Sequence, residues 1–236
     1  MRQTPVYIVC SPQPRVGVTS AARLLGDYFL SKQRPFAGFD TDAHETPFAN
    51  CFPQHARVVN LTAIQGQISL FDRLLVHDDV PKIVDVWNRS FRPFFSIIRD
   101  TGFFEEARRL SVEPVLLFVA DTGNECLEAA RQIHQQWPEV AMIAVNNEGA
   151  APLGYAAHDI LAKFPAQSTF QIPALDPLVQ REIERPGFSI SRFLLAPPSE
   201  MTIVVRTALR AWIARVFAQF QSYELREALN QTRILS

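Results

Sequence analysis

Between the apolar run VYIVC and an Ala- and Leu-rich stretch, residues 11 to 20 read SPQPRVGVTS, the setting of a loop that cradles phosphate. Such loops follow the pattern GxxxxGK and then Ser or Thr. Glycines let successive backbone N–H groups converge on phosphate oxygens, the lysine neutralises the outer phosphates, and the hydroxyl holds magnesium. This chain supplies Gly17, Thr19 and Ser20 but sets Val18 where the lysine belongs. Pro12 and Pro14 withdraw N–H donors, and Arg15 brings a bulky side chain where the backbone should approach the ligand. What remains is a helix N-terminus that attracts anions, with a poorer cradle above it. Losing the lysine forfeits charge-assisted hydrogen bonds of roughly 1.5 to 3 kcal/mol each, and hydrolysis suffers more than binding.

Carboxylates close the next apolar runs. Asp40 and Asp42 lie two apart after PFAGF, so a continued strand aims both at one face, as two carboxylates sharing a cation require. The competing reading is a turn cap, because aspartates after strands bond nearby backbone N–H groups. Asp85, at the end of KIVD, carries the same two readings. Arg15, Arg89 and Arg92 make a replacement anion site if they meet on one crest, and are solvated surface charges if they do not. Trp87 either stacks on a base or a partner, or simply packs at a strand end. His44, His55, His77, His134 and His158 show no metal spacing, Ser11 lacks the GxSxG elbow, and no GxGxxG fingerprint occurs.

The elements that must position these residues alternate. Apolar runs VYIVC, PFAGFD, RVVNL, KIVDVW, PVLLFVA, VAMIAVN and, more weakly, STFQIP predict strands. Helical spacing predicts helices near residues 19 to 32, 65 to 76, 92 to 110 and 123 to 137. The fold class implied is α/β, a doubly wound, mostly parallel sheet with helices on both faces in three layers. Ligands in such sheets sit at the carboxyl ends of the strands, where the residues above lie, with Asp121 and Asn146 after later strands. Residues 147 to 200 read as irregular connections. After Pro197-Pro198, with a cap at Ser199, a long helix from about 200 to 230 closes the chain, and Ile203, Val204, Leu209, Trp212, Ile213, Val216, Phe217 and Phe220 form its apolar face. That face is core packing or a membrane or partner surface.

With 236 residues, a single domain over 1–236 is expected. A composition of 47% hydrophobic and 20% charged residues excludes a disordered chain or a coiled coil. The net charge of -1 gives no pull toward nucleic acid, so direct nucleic-acid binding is not expected. Cys10, Cys51 and Cys126 form no CxxC pair, which fits a reduced, cytoplasmic setting, and no export signal or spanning apolar run is read.

Four of these stations, in order over roughly residues 5 to 150, give a resemblance to the ParA/MinD family of deviant P-loop ATPases, including the TraL-like proteins of plasmid transfer systems. The family loop, KGGVGKT and then Ser or Thr, is met by Gln13 to Ser20; its Asp-x-Asp by Asp40-Thr41-Asp42; its apolar strand ending in Asp by Asp85, with NRSFRPFF like the TraL continuation; and its late strand ending in Asn by Asn146. The resemblance implies a P-loop fold with ATP or ADP and magnesium as cofactors, held by Arg15, Val16, Gly17, Val18, Thr19 and Ser20. It further implies that Asp42 orients the attacking water, that Thr19, Asp40 and Asp85 form the magnesium shell, and that Asn146 lies near the base. Both family lysines are missing, at Gln13 and Val18. The expected function is a weak or non-hydrolysing nucleotide-binding or scaffolding component of a positioning, secretion, polymer-export or DNA-transfer machine. Protein partners, a homodimer and membrane association through a partner or the last helix go with it. Two alternatives stand: an active magnesium-dependent ATPase with a substitute cation such as Arg15, and an adaptor that binds partners through the last helix and uses no nucleotide.

Overall fold

The computed structural model describes residues 3–185 and 187–234, with side chains through residue 230. The order of elements is β1 (Thr4–Cys10), α1 (Val18–Ser31), β2 (Ala37–Asp40), α2 (Pro47–Cys51), β3 (Ala56–Val58), α3 (Ile64–Leu74), β4 (Lys82–Asp85), α4 (Phe91–Thr101), α5 (Phe103–Arg109), β5 (Val112–Val119), α6 (Asn124–Gln136), β6 (Ala141–Asn147), α7 (Ala157–Leu161), β7 (Ser168–Ile172), α8 (Pro177–Ile183), α9 (Ile190–Leu195) and α10 (Ile203–Ile234). All seven expected strands form, in one sheet of order β3-β2-β4-β1-β5-β6-β7, and every pairing is parallel. The fold is therefore α/β in three layers, with a sheet wholly parallel where a mostly parallel one was expected.

Burial on both faces explains why the strands read as unbroken apolar runs. Along β1, Val6, Ile8 and Cys10 enter one cluster with α3 to α7, while Tyr7 and Val9 enter the other with α1, α2 and α8 to α10. The direction of winding reverses at β1, which lies between β4 and β5. A crevice at the carboxyl ends of β1 and its neighbours is the expected ligand position in such a sheet.

Four details depart from the sequence reading. The helix expected over 92 to 110 is two helices, because Gly102 takes the left-handed conformation (φ 63) and ends α4 there. The region from 147 to 200 is more ordered than expected, holding α7, α8 and α9 besides β7. A short helix, α2, also forms after β2, where none was expected. The last helix starts at Ile203 rather than near 200, and it is Thr202, not Ser199, whose hydroxyl accepts the Val205 N–H (3.4 Å).

Most of the expected apolar face of α10 is core. Leu209, Ile213, Val216, Phe217, Phe220 and Tyr223 pack into the cluster that holds α1, whereas Ile203 and Val204 lie in solvent. The Gln219 side chain accepts from the Gln171 N–H and donates to its carbonyl (both 2.7 Å), so α10 completes the exposed edge of β7 as a further strand would. Glu224 accepts from Tyr28 (2.7 Å) and Arg34 (2.8 Å), which ties α10 to α1. Phe220→Ala is expected to cost about 3 to 5 kcal/mol in chemical denaturation. Ile203→Ala should stay within about 0.5 kcal/mol.

Candidate functional site

The site is built where β1, β2 and β4 end together. Residues 11 to 17 bend from β1 into α1, the turn that the sequence pattern requires. Arg15 and Gly17 both take positive φ, 60 and 90. A side chain at Gly17 would be strained by its conformation, and its Cβ would sit 2.0 Å from the Asn147 amide nitrogen and force the Asn147 side chain to move. That amide donates to the Val16 carbonyl (3.2 Å) and pins the loop to the end of β6. Val16 is buried and Val18 packs against the same apolar cluster, so the position that wants a lysine faces the core in part. Pro14 and Arg15 form a hydrogen-bonded turn, and beyond it, among the described residues, no acceptor meets the N–H groups of residues 17 to 20, while α1 has neither a side-chain cap nor an acidic first turn. Those donors remain open to an anion.

Thr19 and Asp85 meet beneath this loop. The threonine hydroxyl donates to Asp85 Oδ2 at 2.7 Å, and Asp85 Oδ1 is buried without a partner among the described residues. Burial first, and the nearby Asp40 and Asp42 charges after it, push the Asp85 carboxyl up to about 7 against the opposing Thr19 bond. Thr41 fixes the segment that follows. It donates its N–H and hydroxyl to the Asp85 carbonyl (both 3.1 Å), accepts the Trp87 N–H (2.8 Å), and its carbonyl takes the Ser90 hydroxyl (3.2 Å).

A cleft of about 820 Å³ opens above, lined by loop residues from Gln13 to Ser20, by Asp42, His44 and Glu45 after β2, and by Asp85, Trp87, Asn88 and Arg89 after β4. Arg89 lies over the Trp87 ring (5.2 Å) and His44 packs tilted against it (5.6 Å between centroids). A smaller hollow of about 230 Å³ shares Ser20 and Ala150 with the cleft and is walled by Leu24, Ile172, Leu175, Ile183 and Trp212.

The structure thus gathers Arg15, Gly17, Val18, Thr19, Ser20, Asp42 and Asp85 in one cleft, with Val16 beneath it. It separates three others from them. Asp40 spends both oxygens on the backbone, accepting Asp42 N–H at 2.9 Å and the Phe48 and Ala49 N–H groups at 2.8 and 3.0 Å, so it caps α2 and the turn rather than facing a cation. Strand alternation turns Asn146 to the opposite face of β6, where it donates to Gln171 (2.7 Å). Arg92 lies outside the cleft and pairs with Glu125 at 3.4 Å. Asp42 keeps its place in the cleft, although one oxygen accepts the His44 and Glu45 N–H groups (3.0 and 3.2 Å).

Asn147, Thr41 and His44 were missed from the sequence. Alternation carried on from Ile143 and Val145 would have put Asn147 on the loop side, but β6 is apolar on both faces and does not say which face that is. The chain's buried lysine, Lys82, cannot replace the lost one. It lies at the other end of β4, donating to Val76 O (2.6 Å) and paired with Asp78. Among the described residues, no group of three His, Cys, Asp or Glu side chains forms a metal site, so a cation at Thr19 and Asp85 would have to bring its own remaining ligands, as magnesium does with phosphates. The buried, unpartnered oxygen of Asp85 and the hydroxyl of Thr19 fit that arrangement.

No family model matches the chain, and no curated protein matches it. Among solved structures, it is similar to a nucleotide-binding protein from Archaeoglobus fulgidus in complex with ADP, a structure that also contains cobalt. The TM-score is 0.50 at 12% identity over 74% of this chain and 84% of that one, a likeness of fold. Among the described residues, no helix is long and apolar enough to cross a membrane.

The raised Asp85 carboxyl makes stability depend on pH in a stated direction. A carboxyl titrating near 7 in the fold and near 3.9 when unfolded stabilises the protein fully below about pH 4, and that contribution is lost as pH rises through 7. Denaturation free energy should therefore fall by about 2 to 3 kcal/mol from pH 5 to pH 8 on this account. Asp85→Asn should remove that share of the slope; an unchanged slope would show that the carboxyl titrates normally.

Proposed function

We propose that the chain is a ParA/MinD-like P-loop protein with a degenerate loop, which binds a nucleoside di- or triphosphate with magnesium and hydrolyses it weakly or not at all. The observation that carries this is the 2.7 Å bond from Thr19 to the buried Asp85 at the foot of an anion-accepting loop. Hydroxyl and carboxylate there are the protein's two contributions to a magnesium ion that phosphates would bring. Magnesium in that place would neutralise charge on the phosphates. The phosphates fit the 820 Å³ cleft and a base fits the apolar hollow beside it.

The missing lysine weighs on turnover more than on affinity, because charge grows on the outer phosphate during transfer. A binding or scaffolding component of a positioning, secretion, polymer-export or DNA-transfer machine, working with protein partners, is the role this favours. Asp42 supports a second, hydrolytic reading, since it is the carboxylate of the Asp-x-Asp pair that lines the cleft.

Calorimetric titration of the full chain with ADP and ATP separates these readings. Binding that strengthens with magnesium and weakens at least tenfold in Thr19→Ala is expected, with little phosphate release. Magnesium-independent binding, or none, would refute the proposal. Steady phosphate release that Asp42→Ala abolishes would establish the hydrolytic reading instead.

A further inference from the structure

We infer that Arg89 and Arg15 together replace the lost lysines as the cationic grip on the outer phosphates of the ligand, an inference that rests on the nucleotide-binding reading above. The two arginines stand at the carboxyl ends of β4 and β1, which are neighbouring strands, and both line the cleft that holds Thr19 and Asp85. No lysine lines that cleft. Neither guanidinium has an ion pair among the described residues, whereas nearby Arg23 reaches Asp27 at 3.9 Å and Arg92 reaches Glu125 at 3.4 Å. Two unpaired guanidiniums beside an acidic floor are what an incoming polyanion would complete.

Arg89 is steadied by its surroundings, and Arg15 projects from an exposed turn. Arg89 follows a segment fixed by the Thr41 hydrogen bonds and lies over the Trp87 ring. Arg15 sits at φ 60, a conformation that glycine adopts freely and arginine does not. A planar fork can bond two phosphate oxygens at once. The grip would thus come from Arg15 in the loop and Arg89 after β4 rather than from position 18, which explains how Val18 can face the core while phosphate is still recognised.

The test compares wild type, Arg89→Ala, Arg89→Lys and Arg15→Gly in the full chain, titrated with ATP, ADP, AMP and inorganic pyrophosphate. Trp87 emission serves as a readout independent of turnover, with Trp87→Phe as its control. Arg89→Ala and Arg15→Gly are each expected to weaken ATP and pyrophosphate about 10- to 100-fold and AMP much less, and Arg89→Lys to recover only part of the loss. Arg15→Gly should also leave the melting temperature equal or higher, because it relieves the backbone, so weaker binding cannot be ascribed to unfolding. Wild-type binding that both arginine variants retain would overturn this inference and leave the nucleotide reading standing. Wild type that binds none of the four would overturn both.

Discussion

A hydroxyl held 2.7 Å from a buried carboxylate is the contact on which the site depends. Thr19 opens α1 and Asp85 closes β4, so the bond joins the loop that follows β1 to the neighbouring strand and fixes the floor of the cleft. The carboxyl group tolerates burial because it is partly protonated near neutrality, and the Thr19 bond satisfies only one of its oxygens. An unsatisfied buried oxygen is costly, and such groups concentrate where a ligand or ion completes them.

Around that contact the geometry fits the phosphate site proposed above, with its positive charge placed elsewhere than at position 18. The loop keeps its bend, its glycine and its open N–H groups. Val18 packs partly against the core and Lys82 is committed to the far end of the sheet, so the arginines that line the cleft, Arg15 and Arg89, are what bring positive charge to it. Asn147, which anchors Val16, and Thr41, which anchors the segment to Ser90, hold the two sides of the cleft to the sheet. These are backbone-directed bonds, so the geometry survives changes in the residues that touch the ligand.

The fold was legible because parallel strands buried on both faces leave apolar runs such as VYIVC and PVLLFVA, and all seven were visible. Helix breaks were less so. Gly102 interrupts a helical pattern that continues on either side, and only its left-handed conformation shows where α4 stops. Within the site, Thr19, Asp42 and Asp85 were readable from their places after strands. Asp40 and Asn146 were misplaced for local reasons: the chain turns immediately after β2, which delivers α2 amides to Asp40, and a one-residue change of face sends Asn146 away and Asn147 in. Nothing in the sequence distinguishes Arg89 from Arg92, whereas a short 3-10 turn places one in the cleft and the other beside Glu125.

The most direct measurement is amide hydrogen exchange across residues 17 to 20 of the full chain, with and without excess ADP and magnesium. Phosphate oxygens accepting those open N–H groups would slow their exchange, and protection confined to this loop and the segment after Asp85 is the expected result. Exchange at residues 17 to 20 that is the same in both conditions would contradict the claim that this bend is a phosphate-binding loop.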